Sequence, residues 1–314
     1  MNDILGKYIR EIINESKWEG ITTSDVLEKL DEYKNNTWIF FDVESTGLTP
    51  KYKQLTEIAA IAVDIKDWQE EPKIIDTFNE KISLTGLTKW QIEKDKKYDQ
   101  SEEERIDKGL ERTPEQEEMA NIRKKYGKTQ DILKMTDYGG KEYEGKYSEE
   151  SDTINRFLDW VDSFENPLFI IHNASFDMNF LSVRKNTPLK RYPVLDTLRI
   201  MQLHLLPLLK TLKDKDENAY NILQSLLATN KKGHEYYSVS QGYLSKAFNV
   251  SADNWHTAIA DVKMLMSIFY NVVKFMKDWE HVDTRYEHGK ILRKSAERRI
   301  KKKLKGQRRT NKWN

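Results

Sequence analysis

The chain has 314 residues, 38% of them hydrophobic and 33% charged, a polar composition for a globular protein yet above the range of disordered chains. It contains no cysteine, which excludes disulfides, thiolate metal sites and cysteine nucleophiles and fits a reducing, cytoplasmic setting; no apolar run approaches the length of a membrane span and no secretory leader is visible, so a soluble protein with no membrane partner is expected. The net charge of +1 hides a gradient, because between Gly289 and Asn314 twelve Lys or Arg stand against Glu297 alone, +11 for that stretch and therefore −10 for the remainder.

From about Asp3 to Tyr33 the spacing predicts helices, with Ile4, Ile9, Ile12 and Ile13 on one face and Val26, Leu27 and Leu30 on another, Thr23 being a candidate cap for the second. Trp38 to Val43 is apolar nearly throughout, as in a strand buried on both faces, and Gly47 and Pro50 break it. Thr56–Ile65 and Lys73–Ile82 follow as second and third strands, and their short connections predict an antiparallel meander. Between about Glu93 and Ser151 the chain becomes charged and poor in core residues, which reads as a surface insertion, part helix and part loop, or as a disordered loop.

Beyond it a helix is expected from about Asp152 to Phe164, carrying Ile154, Phe157, Leu158 and Val161 with Ser151 as its cap. A buried strand spans Leu168–Ile171, a helix begins near Ser175, and a short strand Val194–Leu195 ends at Asp196. Thr197 to Phe248 reads as mainly helical, and Thr257–Lys277 as a long helix whose buried stripe is Ile259, Val262, Leu265, Met266, Phe269, Val273 and Met276. Three strands followed by alternating helices and strands give an α/β fold, a mixed sheet of three antiparallel strands plus parallel strands flanked by helices. The expected organisation is an N-terminal helical segment over residues 1–36, a main domain over 37–280 with the insertion at about 93–151, and a basic tail over 281–314.

Four acids occupy costly positions in this scheme. Asp42 and Glu44, in WIFFDVESTGL, are two apart at a strand end, so both side chains leave one face of the sheet. Asp177, in PLFIIHNASFDMNFL, falls just inside the helix after a buried strand, and Asp261, in NWHTAIADVKML, in the first turns of the last helix. Each has a bland account alone: an exposed strand end for Asp-x-Glu, compensation of the helix dipole for the other two. Their joint occurrence beside apolar runs is much harder to reach by chance, since carboxylates at a core's edge need neutralising, and a hard divalent cation with oxygen ligands does so. His256, five residues before Asp261, would lie on a loop at the helix start, where a neutral imidazole can accept a proton from water, or be a hydrogen-bonding loop residue.

The segments FDVESTGL, HNASFDMNFL and HTAIAD resemble the three motifs of the DEDDh 3′–5′ exonucleases, the proofreading superfamily with a ribonuclease H-like fold, with LTGLT at 84–88 and LDTLRI at 195–200 as further echoes. The tyrosine subclass would place Tyr where Thr257 stands. The resemblance covers about Thr37 to Met276 apart from the insertion, which makes residues 37–280 the exonuclease domain; the long gap between Glu44 and Asp177, the N-terminal helices and the basic tail depart from compact members of that family.

The resemblance implies two Mg²⁺ or Mn²⁺ ions held by Asp42, Glu44 and Asp261, with Asp177 reaching a metal through water and His256 as general base. It implies that Thr46, Leu48, Asn173 and Phe176 line the 3′-terminal nucleotide, although Leu48 and Phe176 could equally be core residues. The substrate implied is a single-stranded or frayed 3′ end of DNA, with RNA trimming or a non-catalytic nucleic-acid-binding scaffold as the alternatives. Arg298, Arg299, Lys301, Lys302, Lys303, Arg308 and Arg309 are expected to hold phosphates without regard to sequence, the rival account being a solubilising tail. The insertion and the N-terminal helices are candidates for docking a polymerase or another replication protein.

Overall fold

A computed structural model describes residues 23–51, 53–65, 70–84, 86–114, 116–117, 120, 147–184, 191–251, 257–291 and 293. His256, the residues before Thr23, most of the second half of the insertion, and the tail residues Arg298, Arg299, Lys301, Lys302, Lys303, Arg308 and Arg309 lie outside the described residues.

Among the described residues five strands make one sheet: β1 (Thr37–Ser45), β2 (Leu55–Asp64), β3 (Lys73–Lys81), β4 (Pro167–Ile171) and β5 (Val194–Asp196), in the order β3-β2-β1-β4-β5. The first three are antiparallel, and β4 and β5 run parallel to β1. This is the expected mixed sheet. β2 is buried at every residue but Asp64, which is why its sequence shows no alternation. β3 is the edge, mostly exposed and bounded by Lys73 and Lys81, charges that discourage further strand pairing.

The described helices are α1 (Thr23–Glu32), α2 (Gly86–Asp107), α3 (Glu150–Asp162), α4 (Ala174–Ser182), α5 (Thr197–Ile200), α6 (Leu206–Leu212), α7 (Glu217–Ser225), α8 (Gln241–Ala247) and α9 (Ala258–Asp278), with a π-helical turn Met201–Leu205 joining α5 to α6. Among the described residues no helix is long and apolar enough to cross a membrane. Two cores flank the sheet. On one face Trp38 and Phe40 pack against Phe269 of α9 at ring-centroid distances of 6.1 and 6.0 Å. On the other, Phe41 stacks on Phe157 of α3 at 5.0 Å, within a cluster that includes Phe169 and Phe180. Successive β1 residues thus alternate between the α9 side and the α3 side.

Several details differ from the sequence expectations. α3 starts at Glu150 with Glu149 as its N-cap, so Ser151 lies inside the first turn, while the Glu150 carboxylate accepts a hydrogen bond from the Leu55 amide at 2.8 Å. α9 packs against β1, β2, α1 and α8 and buries a wider face than one stripe: Met264, Ile268, Val272 and Phe275 are inside, whereas Ile259 and Met266 are only partly covered. The helical reading of 197–248 missed a hairpin of β6 (Leu227–Thr229) and β7 (Glu235–Tyr237). Its turn carries Gly233 at φ +77°, and the Asn230 side chain accepts from the amides of Lys232 and His234, local chemistry that outweighs helical periodicity. A helix, α2, opens at Gly86 and runs through the expected start of the insertion at about residue 93. α1 buries Val26, Leu27 and Leu30 in the same core as α9, and Lys277 of α9 lies 3.7 Å from Asp31.

Candidate active site

The site forms at the end of β1, on the face that α9 covers. Asp42 and Glu44 follow Trp38 and Phe40 in parity, so their carboxylates leave the sheet toward α9. The β1–β2 register shifts between Glu44 and Ser45, and an irregularity of this kind turns the chain away from the ladder beside the acids. α9 enters from the other direction. Its N-cap is Thr257, whose hydroxyl accepts from the Ala260 amide at 3.4 Å, and Asp261 sits buried in the first turn. Asp42, Glu44 and Asp261 each bring a carboxylate oxygen to a common point, all within 4.8 Å of one another.

Asp177 arrives from α4. It is almost wholly buried, and its Oδ1 accepts a hydrogen bond from the Val43 amide at 3.2 Å, which fixes it between the two β1 acids along the strand. The turn before α4 is held in place by Asn173, which adopts the left-handed conformation at φ 69°, a region Asn tolerates better than most residues. The Asn173 amide donates to Asp196 Oδ1 at 3.1 Å, and the same oxygen accepts from Leu198 N at 3.0 Å. Asp196 therefore ties the end of β5 to the turn that aims Asp177. His172, in the same turn, has Nδ1 3.0 Å from Thr197 Oγ1, and burial pushes its pKa down to about 4, so it is a neutral support.

Sequence reasoning missed a further carboxylate. Glu57 on β2 pairs with Glu44 across the ladder and is 1% exposed. The available signal was an acid opening an otherwise apolar strand, TEIAAIAV. Electrostatics reflect the crowding. Burial, then repulsion from Asp177, Glu44, Asp261 and Glu57, raises the Asp42 pKa well above the usual carboxylate range. Burial and repulsion from Asp261, Glu57 and Asp177 bring Glu44 to about 9. Burial dominates at Asp177 and brings it to about 8, against the opposing hydrogen bond from the Val43 amide. An all-oxygen, multiply acidic, partly desolvated donor set is what a hard divalent cation takes as ligands, so Asp42, Glu44 and Asp261 fit such an ion.

A stability prediction follows. Unfolded carboxylates ionise near about pH 4, whereas folded Glu44 and Asp177 do so at about 9 and about 8. Between these limits the folded chain binds more protons than the unfolded one, so the groups' contribution is full at acid pH and is lost as pH rises through the folded values. In chelator, the melting temperature should therefore fall from about pH 5 to about pH 9, and saturating Mn²⁺ should flatten that slope. Thermal scans across pH with and without the ion test this; a metal-free melting temperature indifferent to pH would contradict the clustered-charge picture.

The expected nucleotide-facing residues divide. Leu48 is 75% exposed at the tip of the loop after β1, and so is not a core residue. Thr46 is buried: its amide donates to Gln54 O at 2.9 Å and its hydroxyl accepts from Gln54 N at 3.0 Å, so both close the base of the loop. Asn173 is exposed, and Phe176 packs at 5.1 Å on Phe180 at the margin of the second core.

No family model matches the chain. Over 253 residues, 79% of its length, it is 24% identical to the DNA polymerase III PolC-type of Staphylococcus haemolyticus (strain JCSC1435), and over 251 residues, 78% of its length, 23% identical to that of Staphylococcus aureus (strain bovine RF122 / ET3-1). Each match spans 12% of the relative, so the chain is similar to a small part of a much longer protein. Among solved structures, E. coli exonuclease I in complex with a dA16 oligonucleotide aligns with a TM-score of 0.48 at 15% identity, covering 78% of this chain and 43% of that one. Exonuclease I from Methylocaldum szegediense gives 0.46 at 13% identity, covering 76% and 40%. The mixed sheet is the one that the motif resemblance implies, and three of the four motif carboxylates, Asp42, Glu44 and Asp261, converge at its edge.

Proposed function

We propose that this chain is a 3′–5′ exonuclease that releases nucleoside 5′-monophosphates from single-stranded or frayed DNA ends. The observation that carries the reading is the meeting of Asp42, Glu44 and Asp261 oxygens within 4.8 Å, from two elements more than 200 residues apart in sequence. The similarity to a stretch of DNA polymerase III PolC-type proteins favours DNA over RNA.

Asp42, Glu44 and Asp261 would hold two Mg²⁺ or Mn²⁺ ions. Bound there, the ions would supply Lewis acidity to both the attacking and the leaving oxygen of an in-line displacement. Asp177, oriented by the Val43 amide, would act from the rim of the cluster through water. His256, adjoining the capped start of α9, would take the proton of the attacking water. The loop from Thr46 to Gln54, closed at its base, would stand against the terminal nucleotide with Leu48 as its apolar tip. The basic tail over 281–314 would hold the strand by its phosphates and raise its local concentration. The insertion and the N-terminal helices would dock a polymerase or another replication protein.

The test is digestion of paired DNA and RNA oligonucleotides, 5′-labelled or 3′-labelled, in Mg²⁺, Mn²⁺ or chelator. A ladder shortening from the 3′ end in DNA, with mononucleotide release that chelator stops, is expected. Faster trimming of RNA would move the substrate assignment. Binding of oligonucleotides that stay whole with either metal would make the chain a scaffold and overturn the enzymatic reading.

A further inference from the structure

Arg184 lies just past α4, with its side chain 17% exposed, and its guanidinium engages three separate parts of the chain. Nε donates to Glu150 Oε1 at 2.8 Å; Nη1 donates to Phe180 O at 2.8 Å and Pro50 O at 3.2 Å; Nη2 donates to Lys53 O at 2.7 Å. Its Cζ stands 5.2 Å from the Phe180 ring centroid. The Glu150 oxygen that receives Arg184 also receives the Leu55 amide at 2.8 Å. One ion pair at the start of α3 therefore grips the loop between β1 and β2 at Pro50 and Lys53, and at Leu55 where β2 begins, and fastens it to the helix that carries Asp177.

The loop so held begins directly after the acidic end of β1. Its base is closed by Thr46 and Gln54, the Ser45 hydroxyl donates to Gly47 O at 2.8 Å, and Leu48 projects at 75% exposure. An apolar side chain kept in water on a tied loop is poised to cover a flat apolar surface, and an exposed base is one. Without a restraint the loop would gain conformational freedom, and binding would have to repay that ordering cost. We infer that Arg184 is a positioning residue for the 3′-terminal nucleotide: it fixes the loop so that Leu48 forms a preset wall beside the carboxylate cluster, which sets affinity for the strand end and leaves the chemistry to the acids. This inference rests on the exonuclease reading.

Steady-state kinetics on a single-stranded DNA oligonucleotide test it with Arg184→Gln, Arg184→Lys, Leu48→Ala and the Arg184→Gln/Leu48→Ala double variant. Arg184→Gln should raise KM about ten-fold, the equivalent of one lost base stack, with kcat within about three-fold of the parent. Arg184→Lys should recover little, because an ammonium cannot serve a planar fork of acceptors. Leu48→Ala should raise KM alone, yet add less than about two-fold when Arg184 is already changed, since the two act as one unit. Mn²⁺ affinity of the cluster, read by titration calorimetry, should be unchanged in every variant. Should Arg184→Gln fail to fold, Glu150→Gln loosens the same grip while keeping an oxygen for the Leu55 amide, and it should give the same KM effect and the same non-additivity with Leu48→Ala. Effects that multiply, or a fall in kcat at constant KM, would overturn the assignment of Arg184. A parent protein that leaves DNA and RNA whole in both metals would remove the exonuclease reading instead, and strand-end affinity in chelator would then decide whether Arg184 still holds the wall.

Discussion

Asp42→Asn is expected to lower the rate of mononucleotide release by more than about 10⁴-fold, beyond the span of a lost general base, while raising the melting temperature of the metal-free protein. The two effects share one cause. Asp42 is a carboxylate whose pKa is raised by burial and by four neighbouring acids, so its charge is unfavourable in the folded chain until a cation offsets it. An amide of the same shape keeps the packing and one oxygen but withdraws the charge. In chelator this relieves repulsion toward Asp177, Glu44, Asp261 and Glu57, and the fold gains stability. In Mn²⁺ the same change deprives the cluster of a ligand common to its whole geometry, and the ion-dependent gain in melting temperature should shrink. Single-turnover release of a 3′ label measures the first effect, and thermal scans with and without Mn²⁺ the second. Activity within about ten-fold of the parent would mean that Asp42 does not hold the ion. A lower melting temperature in chelator would mean that the acids are not crowded in solution.

How much of this could be read along the chain depended on whether a residue's signal was local. The strands of the sheet were legible because burial on both faces leaves apolar runs such as WIFF and IAAIAV, and the antiparallel meander followed from their short connections. Asp42, Glu44 and Asp177 were legible as acids at or just after such runs, and Asp261 as an acid in the first turns of an amphipathic helix. Glu57 has the same signature, but its importance arises only through the β1–β2 register that sets it opposite Glu44. Asp196 was visible as the end of a short strand, and its task, aiming the turn before Asp177, exists only through hydrogen bonds to Asn173 and Leu198. Arg184 gave no signal at all. A lone arginine after a helix is commonplace, and the carbonyls it gathers, at Pro50, Lys53 and Phe180, are backbone groups that any sequence supplies. The β6–β7 hairpin was overlooked for a different reason: its strands of three residues are too short for periodicity to register, and its turn chemistry at Asn230 and Gly233 was outweighed by the helical stretches on either side.

His256→Ala is expected to reduce kcat by about 10²–10⁴-fold, the usual contribution of a positioned base, with Mn²⁺ binding to the carboxylates retained. The start of α9 narrows the choice of base. Thr257, at the position where the tyrosine subclass has its hydroxyl, spends its own hydroxyl on the Ala260 amide, and its carbonyl accepts from Asp261 N at 3.0 Å. A capping threonine with a very weakly acidic hydroxyl cannot serve as a base near neutral pH, which leaves the proposed role of base with the histidine one residue earlier in the motif. The pH dependence separates this role from a structural one. An imidazole accepts a proton only while neutral, so the parent's rate should fall as pH drops through the imidazole range of about 5–8. In His256→Ala that acid limb should flatten, leaving the slower metal-dependent background. A variant that merely disturbed the cap would instead displace Asp261, weakening Mn²⁺ binding and raising the metal requirement while keeping the acid limb. Measuring kcat, Mn²⁺ affinity and the pH–rate profile on one preparation distinguishes the two, and a kcat within about three-fold of the parent would remove His256 from the chemistry, because such a change is smaller than any general-base contribution.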